Sequence, residues 1–284
     1  MISQRIETTK DREGLPAGLP TGFRQLDDLI GGMKPGDLIV LAGRPSMGKT
    51  ALALQMVFNS VRGNGRLALL FSLETSKKYL VRRLLSTEGR IDSSKIREPR
   101  RLEEADWRRL MVMRRVLQNA RVHMDDTKPL TTLDILHRSR ELHAEGRCDL
   151  VCVDSLQMVY LPDQSASRGS AASHDRKCSE IARALKGLAV ELSVPVVAVS
   201  QLKRPPETRA DKRPLLGDLG REGAVGRFAD VVLFLHRDAL SKRHRPHRDI
   251  AEVIVAKQRN GPAGTVRLGY TREYPRFDDL HGES

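Results

Sequence analysis

One short loop constrains this 284-residue chain more than any other feature. Residues Gly43–Thr50 read GRPSMGKT and fit the phosphate-binding pattern GxxxxGK[ST]. The loop follows an apolar run, Leu38–Ala42, and leads into a helical stretch that begins at Ala51. In that strand–loop–helix setting, backbone N–H groups surround phosphate oxygens and the amino end of the helix adds a favourable dipole. By itself, the loop predicts nucleotide binding and no more.

Two side chains of the loop have specific expected roles. We expect Lys49 to reach the terminal phosphates and the Thr50 hydroxyl to hold Mg²⁺. The sequence therefore predicts ATP and Mg²⁺ as cofactors. The predicted nucleotide-binding residues are Gly43, Arg44, Pro45, Ser46, Met47, Gly48, Lys49 and Thr50.

Short apolar runs alternate with amphipathic helical stretches along the chain. The predicted strands, apolar on both faces, are Leu38–Ala42, Leu67–Ser72, Leu150–Val153, Val194–Ser200, Val231–Leu235 and Glu252–Ala256. The predicted helices are Thr50–Val61, Lys77–Ser86, Glu103–Leu117, Thr132–Ala144 and Arg176–Leu192. Continuous apolar strands are typical of parallel sheets covered on both sides. The pattern predicts an α/β fold, a mostly parallel twisted sheet with helices on both faces.

Three polar side chains follow apolar strands, at the sheet edge where open α/β folds bind ligands. Asp154 ends the run Leu150–Val153, and we expect it to position Mg²⁺ with Thr50. Glu74 is the candidate general base for the attacking water, although it also suits the cap of the next helix. Gln201 is a neutral candidate sensor of the γ-phosphate, and a satisfied strand end is the alternative interpretation.

The charge of the chain favours a polyanionic partner. There are 49 Lys and Arg against 36 Asp and Glu, a formal net charge of +13, which favours nucleic acid, although a solvated basic surface is the simpler alternative. No apolar run approaches the roughly 20 residues of a membrane-spanning helix. Because Met1–Gly14 has no apolar signal core, we expect a cytoplasmic protein without membrane contact.

Several motifs together resemble the RecA-like motor domain of DnaB-type replicative DNA helicases. They are Leu19–Phe23 with Leu26-Asp27, Arg44–Thr50, Phe71–Glu74, Ser200–Leu202, Asp211–Pro214 and Ala256–Gly261. The resemblance implies a RecA-like P-loop NTPase that forms a ring, usually of six subunits, around single-stranded DNA and moves in the 5′-to-3′ direction. It divides the chain into an N-terminal tail or linker remnant (1–18), the motor domain (19–278) and a C-terminal tail (279–284).

The same resemblance assigns residues that spacing alone leaves as a solvated strand edge. Lys257 and Arg259 match the KxR element of the family, in which basic groups reach the γ-phosphate bound by the adjacent subunit. Segments 163–173 and 216–227 correspond to its channel loops. The candidate DNA-binding residues are Arg221, Glu222, Gly223 and Arg227.

Lys203–Arg227 is basic and contains no aromatic residue, so contact with phosphates is favoured over base stacking. A solvated basic loop remains the alternative interpretation. The segment also departs from the family, because Gly220 stands where the family has arginine.

A second departure from the family is that only about 20 residues precede the motor, whereas the family usually carries an N-terminal collar domain there.

We expect an ATP hydrolase that acts as a replicative DNA helicase. Its expected partners are single-stranded DNA, further copies of the chain in a homo-oligomer, and a helicase loader or full-length helicase. A recombination or clamp-type ATPase is one alternative. An accessory RecA-like subunit that binds DNA or a full-length helicase without unwinding is another.

Overall fold

A nine-stranded sheet runs through the part of the chain that the computed structural model describes: residues 17–146, 148–162, 171–202, 209, 211–220, 224–237 and 249–280. The strand order is β3-β2-β4-β5-β1-β6-β7-β8-β9. The pairs from β3 to β6 are parallel, and the pairs from β6 to β9 are antiparallel. The strands are β1 Leu38–Gly43, β2 Leu67–Ser72, β3 Arg121–Asp125, β4 Leu150–Asp154, β5 Val196–Gln201, β6 Val231–Arg237, β7 Asp249–Gln258, β8 Gly264–Thr271 and β9 Arg276–Asp279.

Helices cover both faces of this sheet, as the sequence predicts. They are α1 Arg24–Ile30, α2 Lys49–Val61, α3 Lys77–Gly89, α4 Ser93–Arg97, α5 Glu104–Asn119, α6 Thr132–Ala144, α7 Ala171–Leu192 and α8 Ala224–Phe228. Alternate residues of β1 enter two separate cores: Ile39 packs with Leu52 and Phe58 of α2, and Val40 packs with Leu185 of α7. The α/β prediction is confirmed.

The sequence interpretation missed the two ends of the sheet. Three strands, β3, β8 and β9, were not predicted, because none forms a continuous apolar run: β3 and β9 each bury one residue, and exposed polar residues interrupt β8. The strand predicted at Glu252–Ala256 is the middle of β7, which is longer, antiparallel to β6 and buried on one face only. The prediction of burial on both faces is therefore wrong for β7.

Both predicted channel loops contain helical structure. Helix α7 begins at Ala171, so the last residues of segment 163–173 are helical, while 163–170 lie outside the described residues. Segment 216–227 contains a 3₁₀ turn, Leu216–Leu219, and most of α8. Arg221, Glu222 and Gly223 lie outside the described residues.

The two ends of the described domain are tied to its body. Gly18 N–H donates to the Gly31 carbonyl (3.0 Å). Strand β9 ends at Asp279, one residue beyond the predicted end of the motor, and its carboxylate accepts from Arg24 N–H (3.1 Å). Among the residues that the structure describes, no helix combines the length and apolar character needed to cross a membrane.

Candidate active site

Four neighbouring parallel strands bring the phosphate-binding loop and the polar residues that follow the other strands to one edge of the sheet. In the order β2-β4-β5-β1, Ser72 lies opposite Asp154, and Gly43 lies opposite Gln201. The carboxyl ends of parallel strands meet at one edge, so the phosphate-binding loop and the residues that follow the other strands surround a common space. We refer to this edge as the carboxyl edge.

The loop requires glycine at two positions. A side chain on Gly43 would place its Cβ 2.8 Å from the Leu235 carbonyl oxygen of the neighbouring strand, and Gly48 has φ +100°, a conformation that glycine adopts without strain. Gly48 precedes α2, and no described side chain caps that helix. Its first-turn N–H groups therefore remain the natural partners of an anion.

Lys49 lies inside the loop rather than in solvent. Its Nζ donates to the Arg44 carbonyl (2.9 Å). Burial lowers the pKa of Lys49, and the charges of Glu74 and Asp154 oppose that shift. The ammonium group of Lys49 therefore lies near both carboxylates and is partly shielded from water. A phosphate bound in the loop would add the negative charge that favours the protonated form of the lysine.

Asp154 and Thr50, the two predicted metal ligands, are joined by a side-chain hydrogen bond. Asp154 is 3% exposed, and burial raises its pKa to about 6, helped by Glu74 and opposed by the Thr50 hydrogen bond and by Lys49. A carboxylate beside a hydroxyl provides the hard oxygen ligands that Mg²⁺ prefers, with phosphate and water completing its coordination. A cation would also offset the unfavourable burial of the carboxylate, so the residues fit Mg²⁺.

Glu74 and Gln201 both lie at the carboxyl edge with their side chains exposed. The Glu74 Oε1 accepts a hydrogen bond from Ser155 Oγ (2.6 Å). Glu74 does not cap α3, because Ser76 occupies the N-cap position and Lys77 N–H donates to Asp126 (2.8 Å). Gln201 is the last residue of β5.

Lys257 and Arg259 lie at the opposite, amino edge of the parallel strands. Gln258 pairs with Val231, at the start of β6, whereas Gly43 pairs with Leu235, near its end. At about 3.3 Å per residue, Val231 and Leu235 are roughly 13 Å apart along β6, and the loop extends farther beyond Gly43. The structure therefore separates these two cations from the phosphate-binding loop of their own chain.

Both cations have partners at the amino edge. Lys257 Nζ donates to the carbonyls of Gly226 (2.7 Å) and Ala229 (2.8 Å), at the carboxyl end of α8. Arg259 Nε lies 3.0 Å from Asp230 Oδ1, and the Arg259 side chain is 54% exposed. Arg227, the fourth candidate DNA-binding residue, is exposed on α8.

Sequence reasoning missed Arg237, the last residue of β6. Its guanidinium carbon lies 3.9 Å from the centroid of the Tyr270 ring, and its buried Nε and Nη1 find no partner among the described residues. Tyr270 in turn lies against Gly48 of the loop. The signal was available: Arg237 is a polar residue that ends an apolar strand at the carboxyl edge, as Gln201 is.

Comparison with known proteins finds relatives that match almost the whole of this chain. Replicative DNA helicase DnaB of Geobacillus stearothermophilus is 40% identical over 97% of the chain, and replicative DNA helicase DnaC of Bacillus subtilis (strain 168) is 39% identical over 97%. The chain spans 59% of the length of each.

Among solved structures, one described as an ATPase domain matches with a TM-score of 0.87 and 35% identity, covering 99% of this chain and 97% of that one. A DnaB-like replicative helicase described with its interactions with primase matches with a TM-score of 0.88 and 35% identity, covering 99% of this chain and 68% of that one. Residues 18–279 match the family described as the DnaB-like helicase C-terminal domain. The chain belongs to the DnaB-like helicase C-terminal domain family and has its RecA-like α/β fold.

Proposed function

We propose that this chain is the ATP-hydrolysing motor of a replicative DNA helicase. The observation that carries the enzymatic part is the meeting of Lys49, Asp154 and Glu74 around the phosphate-binding loop. The DNA part is supported by the relatives, which are named replicative DNA helicases. Gln201, at the same edge, supplies the neutral amide that we propose senses the γ-phosphate.

The chemistry follows from these positions. Glu74 accepts a proton from the attacking water, the water oxygen bonds to the γ-phosphorus, and the bond to the ADP oxygen breaks. Lys49 holds the phosphates and offsets negative charge on them. Thr50 and Asp154 would hold Mg²⁺, which when bound neutralises charge on the phosphate oxygens.

The placement of Lys257 and Arg259 supports hydrolysis at an interface between copies. Neither side chain reaches the loop of its own chain, because both lie at the other edge of the sheet. We propose that they act on ATP bound by an adjacent copy, where a supplied cation accelerates phosphoryl transfer by about 10³-fold or more.

The mode of action on DNA extends this proposal. We propose a cytoplasmic homo-oligomeric ring of six that moves 5′ to 3′ on single-stranded DNA, with a helicase loader or full-length helicase as further partners. The segment with Arg221, Glu222, Gly223 and Arg227 would contact the DNA. Arg227 lies on α8, whose carboxyl end is bonded to Lys257, so the predicted DNA segment and one interface cation are physically connected.

The test is ATP hydrolysis by the purified chain with and without single-stranded DNA. We expect DNA to stimulate hydrolysis, and Lys49→Ala to abolish it. Lys78→Ala, an exposed lysine of α3, is the matched control and should behave like the unaltered chain. A folded chain without DNA-stimulated hydrolysis would contradict the proposal.

Strand separation distinguishes a helicase from an accessory subunit. On a forked DNA substrate with a 5′ tail, we expect ATP-dependent separation of the strands, and little on a substrate with only a 3′ tail. Hydrolysis without strand separation would favour the accessory role, and adding a full-length helicase would then test whether the two assemble.

A further inference from the structure

Two polar side chains within three residues after Asp154 have no role in the function proposed above. Ser155 is 1% exposed, and Gln157 lies in a short 3₁₀ turn, Leu156–Met158. Between them, Leu156 is fully buried and packs in the hydrophobic core. The backbone of this segment is therefore anchored on both sides, by strand β4 and by the core.

Ser155 holds one oxygen of the candidate base. Its Oγ donates to Glu74 Oε1 over 2.6 Å. Because the Glu74 side chain is exposed, it would otherwise sample several rotamers, and a general base must lie within hydrogen-bond reach of its water. A bond from a buried hydroxyl to one carboxylate oxygen restricts that freedom and leaves the second oxygen for the water proton.

Gln157 holds the main chain of the candidate sensor. Its Nε2 donates to Ser200 Oγ (3.0 Å), and its Oε1 accepts from Gln201 N–H (3.2 Å). The side-chain amide of Gln157 thus bonds to the last two residues of β5, while the side chain of Gln201 stays exposed. This arrangement directs the Gln201 amide outward from a fixed backbone.

The two contacts join both catalytic groups to one rigid segment. Gln157 and Gln201 also line a cleft of about 340 Å³ together with Asp218 and Leu219, which lie near the start of segment 216–227.

We infer that Ser155 and Gln157 are positioning residues, which hold Glu74 and Gln201 in register with each other at the carboxyl edge. This inference rests on the proposed function, since it assigns the two contacts a part in hydrolysis. A purely structural bond would affect stability, whereas a positioning bond affects turnover, and only while its catalytic partner is present.

The first experiment is a double-mutant cycle on Ser155 and Glu74. We expect Ser155→Ala to lower kcat for DNA-stimulated hydrolysis about tenfold with little change in KM. In a Glu74→Ala background, which lacks the acceptor, adding Ser155→Ala should change single-turnover hydrolysis by less than twofold, because residues that act through one another are not additive. Ser155→Thr retains a hydroxyl and should recover most of kcat.

The second experiment applies the same logic to Gln157. Gln157→Leu nearly keeps the size of the side chain and removes both the donor to Ser200 Oγ and the acceptor of Gln201 N–H, and we expect kcat to fall about fivefold. In a Gln201→Ala background the same substitution should change kcat by less than twofold. Gln118→Leu, at an exposed position of α5, makes the same substitution elsewhere and is the matched control.

The outcomes separate the two proposals. An unaltered chain that does not hydrolyse ATP overturns the proposed function, and this inference falls with it. An active chain whose Ser155→Ala variant keeps kcat within twofold, or loses the same factor with and without Glu74, overturns the inference alone. Unchanged melting temperatures of the variants show that the kinetic differences do not arise from unfolding.

Discussion

The two edges of the parallel strands differ in what their polar residues contact. At the carboxyl edge, Glu74 and Gln201 are exposed, and the buried carboxylate of Asp154 has a raised pKa. At the amino edge, Asp230 is surrounded by donors: Leu38 N–H at 2.8 Å, Lys186 Nζ at 2.7 Å and Arg259 Nε at 3.0 Å. The carboxyl edge is arranged to receive a ligand, and the amino edge is already paired.

This difference fits the proposal that ATP is hydrolysed between two copies of the chain. Asp230 joins the start of β1, helix α7 and the end of β7, so Arg259 is presented from a fixed point and remains half exposed. Because Asp230 already holds the Arg259 side chain, binding of a phosphate by this cation costs little conformational entropy. The comparison therefore predicts that function depends on the carboxyl edge of one copy and on the amino edge of another.

The largest expected effect is the loss of Arg259. Arg259→Ala should lower kcat for ATP hydrolysis by about 10³-fold while nucleotide affinity changes little, because the loop of the same chain is far away. Arg272→Ala is the matched control, since Arg272 is also exposed and paired with an aspartate, Asp249, at 2.6 Å. Steady-state hydrolysis and fluorescent nucleotide binding measure the two quantities.

Mixing two inactive variants then tests the separation of the edges. Lys49→Ala and Arg259→Ala damage opposite edges, so mixed assemblies contain some interfaces that are intact. We expect the mixture to recover measurable hydrolysis, whereas each variant alone shows almost none. If the mixture stays inactive although the two variants co-assemble, the two edges do not act between copies.

The next effect concerns the stability of the amino edge. Asp230→Ala leaves Lys186 partly buried without its carboxylate and removes the acceptor of Leu38 N–H, so we expect the free energy of unfolding to fall by about 3 kcal/mol. Asp249→Ala, which breaks the more exposed pair with Arg272, should cost less than about 1 kcal/mol. Denaturant unfolding compares them, and equal losses would show that Asp230 is not a special anchor.

The sequence predicted the carboxyl edge better than the amino edge, for a physical reason. Residues that end buried parallel strands share one edge, so Asp154 and Gln201 could be placed together before the sheet order was known. The Asp230 contacts join residues far apart in sequence, such as Leu38 and Lys186. No local pattern indicates such contacts.

The same limit applies to the strands and to the supporting side chains. Strand β8 contains exposed polar residues among its buried ones and pairs with β7 through contacts that only the tertiary structure reveals. Ser155 and Gln157 lie within three residues of Asp154, but their partners are distant in sequence: Glu74 follows β2, and Gln201 ends β5. Sequence identified the candidate catalytic groups, while the residues that hold them required the fold.

A smaller effect is expected at Arg237, on the far side of the loop from Glu74. Strand β6 flanks β1 opposite β5, so Arg237 and Tyr270 border the loop away from the candidate base. We predict that they contact the nucleoside side of ATP and that Arg237→Ala weakens nucleotide binding about tenfold, about 1.4 kcal/mol. Arg115→Ala, on the exposed surface of α5, is the control, and equal affinities would exclude this contact.

The smallest expected effect is on the free energy of unfolding. Removing the charge of an aspartate should change it in opposite directions at the two edges. Because burial raises the pKa of Asp154 to about 6, the folded chain holds this proton more tightly than the unfolded chain. Stability is therefore reduced above pH 6, where the carboxylate is charged, and it recovers as the pH falls through 6. Asp154→Asn carries no charge and keeps an oxygen for Thr50.

In EDTA at pH 8, we expect Asp154→Asn to be more stable than the unaltered chain by on the order of 1 kcal/mol, a value reduced by the loss of a carboxylate near Lys49. The difference should shrink as the pH approaches 5. Asp230→Asn should instead destabilise the chain at pH 8, because Asp230 already has cationic partners. If both substitutions destabilise the chain, its own cations already compensate the charge of Asp154. The carboxyl edge then does not differ from the amino edge in needing a ligand.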